Sequence, residues 1–232
     1  MSIVKLVILT ATICMIFGKV LNRLLPRKEK ANGKKPCIVC IGDSITFGAG
    51  VRSTREKDCW VRLLEDLLEK KYQVLNYGIS SATLLKDGNL PYRADFLKKA
   101  IDIHPALFIL MLGTNDSKPQ NWNAEKYEAE LSEMIELLKK ESADGRLIVM
   151  TPPFAVSANG KGEIAFAIQN DVIRDEIRPI VLRQAKNHQV TLVDLYQITE
   201  GHPEYYADGV HPNVLGNQVI AKCLLPSVQS TR

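Results

Sequence analysis

Four short motifs in this sequence carry side chains that could do chemistry together. They are Gly42-Asp43-Ser44-Ile45, Asn76-Tyr77-Gly78, Gly113-Thr114-Asn115-Asp116 and Asp208-Gly209-Val210-His211. Ser44 is a candidate nucleophile and His211 a candidate base. Asp208, three residues before His211, is a candidate carboxylate to orient that base. In a helix or a tight turn this spacing lets the carboxylate reach Nδ1–H. Nε2 is then left as the acceptor for the serine proton. Developing negative charge needs donors, and three are in place: the N–H groups of Ser44 and Gly78 and the side-chain amide of Asn115. A glycine N–H can approach a substrate oxygen closely because no Cβ stands in the way. The chemistry these groups suit is acyl transfer through a serine.

Each motif also has a plain structural explanation. Ser44 could cap a helix, and Asn115 could close an Asx turn. Gly78 could be a simple turn glycine, and Asp208 a helix cap beside a surface histidine. What favours chemistry is that all four occur in one chain, in order, each at the exit of a strand or in the closing loop. His104, His188 and His202 show no comparable partner along the sequence. His104 precedes Pro105 and His188 ends a helical stretch, so both are expected to be structural or exposed.

Short apolar runs predict strands over Cys37–Ile41, Gln73–Asn76, Leu107–Leu112, Leu147–Met150 and Thr191–Asp194. Runs of this kind are expected of strands buried on both faces. Helical periodicity between them predicts helices over Trp60–Lys71, Tyr127–Lys140, Ile164–His188 and Pro212–Leu224. Pro179 inside the third should kink or divide it. Alternating strands and helices imply right-handed crossovers and a parallel sheet. Ligands of such sheets bind beyond the carboxyl ends of the strands, where the four motifs fall.

The charge balance is uneven. Of a formal net charge of +4, residues 1–35 carry +7 and residues 36–232 carry −3. The body therefore lacks the basic footprint of a nucleic-acid binder, and no nucleic-acid partner is expected. Cys37 and Cys40 look like half of a zinc or redox site, but residues three apart on a strand face opposite ways. No second Cys/His pair completes a site, so buried small hydrophobes are expected, with no metal and no cofactor. At the amino terminus Leu6–Gly18 is an apolar run between Lys5 and Lys19, short for a membrane span. Extended to residues 3–21 it makes a marginal anchor with snorkelling lysines. The expectation is an export signal or an uncleaved anchor over residues 1–35, with membrane association through 3–21 and an exported or membrane-anchored, extracytoplasmic location. The basic flank from Arg23 to Lys35 argues for the opposite orientation. Residues 36–232 would form one catalytic domain.

With these motifs in place the chain resembles the SGNH/GDSL hydrolases over about residues 36–226. Gly42-Asp43-Ser44 looks like the nucleophile block and Gly78 like the second-block glycine. Gly113-Thr114-Asn115-Asp116 is similar to the third block and Asp208-x-x-His211 to the last. The resemblance implies a flavodoxin-like three-layer α/β/α fold with a five-stranded parallel sheet, and metal-free ester hydrolysis by Ser44, His211 and Asp208. The segments Ala82–Leu85, Pro91-Tyr92, Gly113–Trp122 and Asp208–Pro212 look like the bacterial carbohydrate O-acetylesterases of sialate and xylan type. A small or glycan-borne acyl ester is then the expected partner. Asp43, Gln120 and Trp122 are the candidate substrate contacts, with packing against the following helix as the alternative for Trp122. The loop Thr151–Phe154 is a candidate cleft wall. Two other functions stay open: a lipid-directed esterase of lysophospholipase or thioesterase type, and a catalytically silent carbohydrate-binding module.

Overall fold

The computed structural model describes residues 30–92, 95–158, 160 and 162–230. Its centre is a five-stranded sheet of β1 (Cys37–Gly42), β2 (Gln73–Gly78), β3 (Leu107–Met111), β4 (Arg146–Met150) and β5 (Thr191–Val193). The strand order is β2-β1-β3-β4-β5, and every neighbouring pair is parallel. These strands lie within a residue or two of those predicted, because runs this apolar have no polar face to give to solvent.

Alternation within the strands sorts their side chains onto two faces. Cys37, Val39 and Ile41 of β1 join Phe108 and Leu110 of β3 in one core. Ile38 and Cys40 join Leu107, Ile109 and Met111 in the other. Cys37 and Cys40 therefore sit in opposite cores, as strand geometry requires. The first core is covered by α3 (Asp95–Ile101), α4 (Ala124–Glu141) and α5 (Arg178–Asn187), through Leu97, Leu131, Met134, Ile135 and Val181. The second is covered by α2 (Trp60–Leu67) and α6 (Val214–Ser230), through Val61, Leu64, Ile220 and Leu224. The result is three layers, α/β/α. Each fully buried aliphatic or aromatic side chain contributes about 1.5–3 kcal/mol.

Three helices depart from the predicted spans: α6 runs to Ser230, six residues past Leu224, with Pro226 inside it, and two others are broken or stop early. The predicted Ile164–His188 helix is broken into pieces. Phe166 and Ala167 take left-handed φ values of 62° and 57°, so helix begins only at Asn170. It then widens into a π-turn over Ile173–Ile177 before α5. Pro179 is the cause of the second break: it has no N–H to give to Asp175, and its ring crowds that carbonyl. α2 stops at Leu67 rather than Lys71, and Glu69 and Lys70 turn left-handed after it. Helix α3 had no recognised signal in the sequence.

The signal or anchor expectation falls on residues 1–29, outside the described residues. Among the described residues, no helix is long and apolar enough to cross a membrane. Residues 30–35 touch the start of β2: Gln73 Nε2 donates to Lys30 O at 3.0 Å and Gln73 Oε1 accepts from Asn32 N–H at 2.9 Å.

Candidate active site

The strand order reverses direction between β1 and β3, whose exits start side by side because Gly42 is in register with Met111. That crevice is where an open parallel sheet offers a ligand site. β1 runs straight into a one-turn helix, α1 (Ser44–Phe47), with Ser44 as its first residue. Asp43 is the cap, its Oδ1 accepting the Ile45 N–H at 2.8 Å. Asp43 is fully buried, so the expectation that it contacts substrate is corrected: it shapes the turn that presents Ser44. Burial pushes its carboxyl up to about 6, against the pull of the Ile45 N–H and the Thr114 hydroxyl.

Ser44 Oγ stands 2.9 Å from His211 Nε2. His211 Nδ1 stands 2.7 Å from Asp208 Oδ2. Asp208 reaches back through a turn rather than along a helix, its other oxygen accepting the N–H groups of Val210 at 3.0 Å and His211 at 2.8 Å. Partial burial pushes the Asp208 carboxyl up, but the His211 side chain and these two N–H groups together hold it below the ordinary range. Gly209 makes the turn with φ 85°, and its carbonyl accepts the Val156 N–H at 2.9 Å, tying the loop to the segment after β4. The alignment is that of a nucleophile, a base and an orienting carboxylate.

The donor set differs from expectation at one residue. Gly78 N–H donates to Asn76 Oδ1 at 3.0 Å, which takes it out of the oxyanion set. Its lack of a Cβ serves packing instead: an added Cβ would lie 2.6 Å from Thr46 C and 2.8 Å from Phe47 Cα, in the backbone of α1. Asn76 completes this joint by donating from Nδ2 to Thr46 O at 2.7 Å. Asn115 is buried and gives one amide N–H to Ala82 O at 3.1 Å, leaving the second to give. The same bond draws the turn Ile79–Ala82, closed by Ala82 N–H to Ile79 O at 3.0 Å, against the Asn115 loop. Within it Ser81 adopts φ 69°, a conformation a non-glycine residue takes only when its surroundings impose it. This turn leaves no mark in the sequence, because serine carries no signal for left-handed backbone.

At this point comparison with known proteins decides the family. A family profile described as the GDSL-like lipase/acylhydrolase family matches residues 40–219. The chain belongs to that family. It is 29% identical over 212 residues to an acetylxylan esterase from Xylanibacter ruminicola, covering 83% of this chain and 43% of that relative's length. The chain thus spans less than half of the curated relative it matches. Its fold is similar to an aryl esterase from M. smegmatis (TM-score 0.70, 19% identity, 85% of this chain and 100% of that one). It is also similar to an acetylxylan esterase from Geobacillus stearothermophilus (TM-score 0.64, 21% identity, 87% and 96%). At these identities the two structures speak for the α/β/α fold.

Other expected contacts of the GDSL chain lie elsewhere. Trp122 is held by the helix that follows it. Its ring centroid lies 5.4 Å from Tyr127 on α4, and its Nε1–H donates to Glu176 at 3.0 Å. The packing alternative is therefore the one realised for Trp122. Gln120 lies on the exposed turn before it, with no bond to the Ser44–His211–Asp208 chain. Phe154 packs edge-on against Tyr196 and Tyr206.

Two of the remaining histidines have partners of another kind. His202 pairs with Glu204 at 2.8 Å on the surface, and His188 Nε2 meets Ser132 Oγ at 2.8 Å. His211 alone, among the described residues, stands between a serine and a carboxylate. Asp116 is a further buried carboxylate, accepting the N–H groups of Leu84 at 3.1 Å and Leu85 at 2.8 Å. Burial pushes it up to about 7 despite those bonds, and the nearby Asp43 adds to the rise.

Proposed function

We propose that this chain is a serine carboxylic ester hydrolase that removes acetyl groups from O-acetylated carbohydrates through an acyl-enzyme. The observation that carries the proposal is the hydrogen-bonded line Ser44–His211–Asp208, with contacts of 2.9 and 2.7 Å at the carboxyl ends of the sheet. In the reaction Ser44 Oγ attacks the acyl carbon as its proton passes to His211 Nε2. Asp208 stabilises the imidazolium. The Ser44 N–H, the Asn115 amide and a backbone N–H of the Ile79–Ala82 turn hold the oxyanion. His211 then gives its proton to the departing alcohol, leaving acetyl-Ser44. A water replaces the alcohol, loses a proton to His211 and attacks the ester. Collapse returns that proton to Ser44 and releases acetic acid. Removing one oxyanion donor of this kind costs about 10²–10³ in turnover.

The acetyl and carbohydrate parts of the proposal are supported by the acetylxylan esterase relative and by the polar loops Gly113–Trp122 and Ala207–Asn213 beside Ser44 and His211. A lipid-directed enzyme would gain only about 0.8 kcal/mol per buried methylene, and so would need a long apolar channel. The test is kcat/KM for p-nitrophenyl acetate, butyrate and octanoate, with Ser44→Ala beside the parent. Values should fall with chain length, and Ser44→Ala should lose at least about 10³-fold. A rise with chain length would overturn the carbohydrate reading in favour of a lipid-directed esterase. Undiminished hydrolysis by Ser44→Ala would overturn the serine mechanism itself.

A further inference from the structure

Beside His211 stands a residue that neither the motifs nor the core explain. Phe166 is 56% exposed, and its ring centroid lies 5.1 Å from that of the His211 imidazole at an interplanar angle of 66°. It belongs to neither hydrophobic core. Its backbone is left-handed, as is that of Ala167 after it, with φ values of 62° and 57°. Two successive residues with side chains hold that conformation only where flanking structure imposes it.

The flanks do impose it. Ile164 and Ala165 pack against the first core, and Ile168 is buried in it. Gln169 N–H donates to Ser117 Oγ at 3.2 Å, on the loop that carries Asn115. Asn170 Oδ1 accepts the Ala155 N–H at 2.9 Å. Both ends of the segment are thus pinned, and the strained residue between them holds a phenyl ring in solvent beside the imidazole. A single exposed aromatic is ordinary on a protein surface; what points to a ligand is that this one is fixed by a left-handed backbone beside the imidazole that serves Ser44.

The chemistry of the site says which part of a ligand it meets. The acyl oxygen turns toward Asn115 and the Ser44 N–H. The departing oxygen must come within reach of His211 Nε2, since that atom returns the proton to it. A side chain resting on the His211 ring therefore borders the alcohol, not the acyl group. A pyranose offers the matching surface, because its ring C–H groups form an apolar face while its hydroxyls remain at the rim.

We propose that Phe166 is a substrate-binding platform for the leaving alcohol, seating the apolar face of a sugar ring and selecting acetyl esters of cyclic sugars over those of small alcohols. This rests on the acyl-transfer reading of Ser44 and His211. The experiment compares Phe166→Ala, Phe166→Trp and Ser44→Ala with the parent on two substrates sharing one acyl group, a mono-O-acetylated methyl pyranoside and methyl acetate. Phe166→Ala should lower kcat/KM for the pyranoside ester by about tenfold or more, mainly through KM, the size expected when an aromatic contact is lost. Its loss on methyl acetate should stay within about threefold. Phe166→Trp should restore pyranoside turnover. Equal losses on both substrates would overturn the proposal and make Phe166 a positioning residue for His211, and no loss on either would overturn it as well. Retained methyl acetate hydrolysis in Ser44→Ala would instead show that the underlying acyl-transfer reading had failed.

Discussion

Replacing Gly78 with alanine tests how the nucleophile is held. The new Cβ would sit 2.6 Å from Thr46 C and 2.8 Å from Phe47 Cα, and closer still to Phe47 N, where ordinary contact begins at 3.4 Å. All three are backbone atoms of α1, so no side chain can swing aside. Relief requires α1 and the end of β2 to part by roughly 1 Å, and separation strains the Asn76–Thr46 bond that braces them. Overpacking of this kind costs about 1–3 kcal/mol, offset by a few tenths from the stiffer unfolded chain. For a chain of this size that is a fall in Tm of roughly 3–10 °C. α1 also carries Ser44, so a similar shift would stretch the 2.9 Å contact to His211 Nε2. A misplacement of about 1 Å costs about 100-fold in kcat. Thermal denaturation followed by circular dichroism and turnover of p-nitrophenyl acetate read the two effects. The substitution leaves the Gly78 N–H in place, so a protein in which Gly78 served only as a donor would keep its activity. A Tm within about 1 °C and a kcat within about threefold of the parent would refute the packing role.

Three further outcomes are expected. Ser44→Ala and His211→Ala should each abolish nearly all esterase activity, and the double variant should be little worse, since groups acting as one unit do not add; losses that multiply cleanly in turnover assays would contradict the shared mechanism. Asp43 and Asp116, raised to about 6 and about 7 from about 3.9 in the unfolded chain, keep protons in the folded state that the unfolded chain has already lost. Stability should therefore fall as pH rises from about 4 to 7, and chemical denaturation at pH 5.5 and 8 should show this, with Asp43→Asn flattening the difference; a stability that climbs steadily over that range would contradict the burial of both carboxyls. The lowered Asp208 acts in the opposite sense, adding stability that is lost only as pH falls below the ordinary carboxylate range. A chain beginning at Lys30, the first of the described residues and bonded to β2 through Gln73, should fold and keep its turnover on a soluble ester; a folded but inactive product would show that residues 1–29 are needed for catalysis.

The strands could be read from the sequence because apolar runs such as Cys37–Ile41 and Leu107–Leu112 can only be satisfied between two helical layers. That alternation implies a parallel sheet, whose strands deliver Ser44 and Asn115 to one end. The pair Asp208 and His211 was legible for a related reason: three residues of separation is a local relation that a turn alone can close. What stayed hidden depended on contacts between distant segments. Whether the Gly78 N–H is free depends on where the Asn76 side chain points, and that is set by the Thr46 carbonyl thirty residues away. Whether Trp122 faces a sugar or a helix depends on Tyr127 and on Glu176, the latter 54 residues away in sequence. Phe166 had no motif at all. An exposed phenylalanine with left-handed backbone goes against local propensity, and only the pinned ends of its loop, one of them fastened to the Asn115 loop, bring it beside His211. Composition and periodicity thus determined the layers and the strand exits. The tertiary structure alone decided which donors are spent on packing and which side chains remain to meet a substrate, because that allocation is settled by partners remote in sequence.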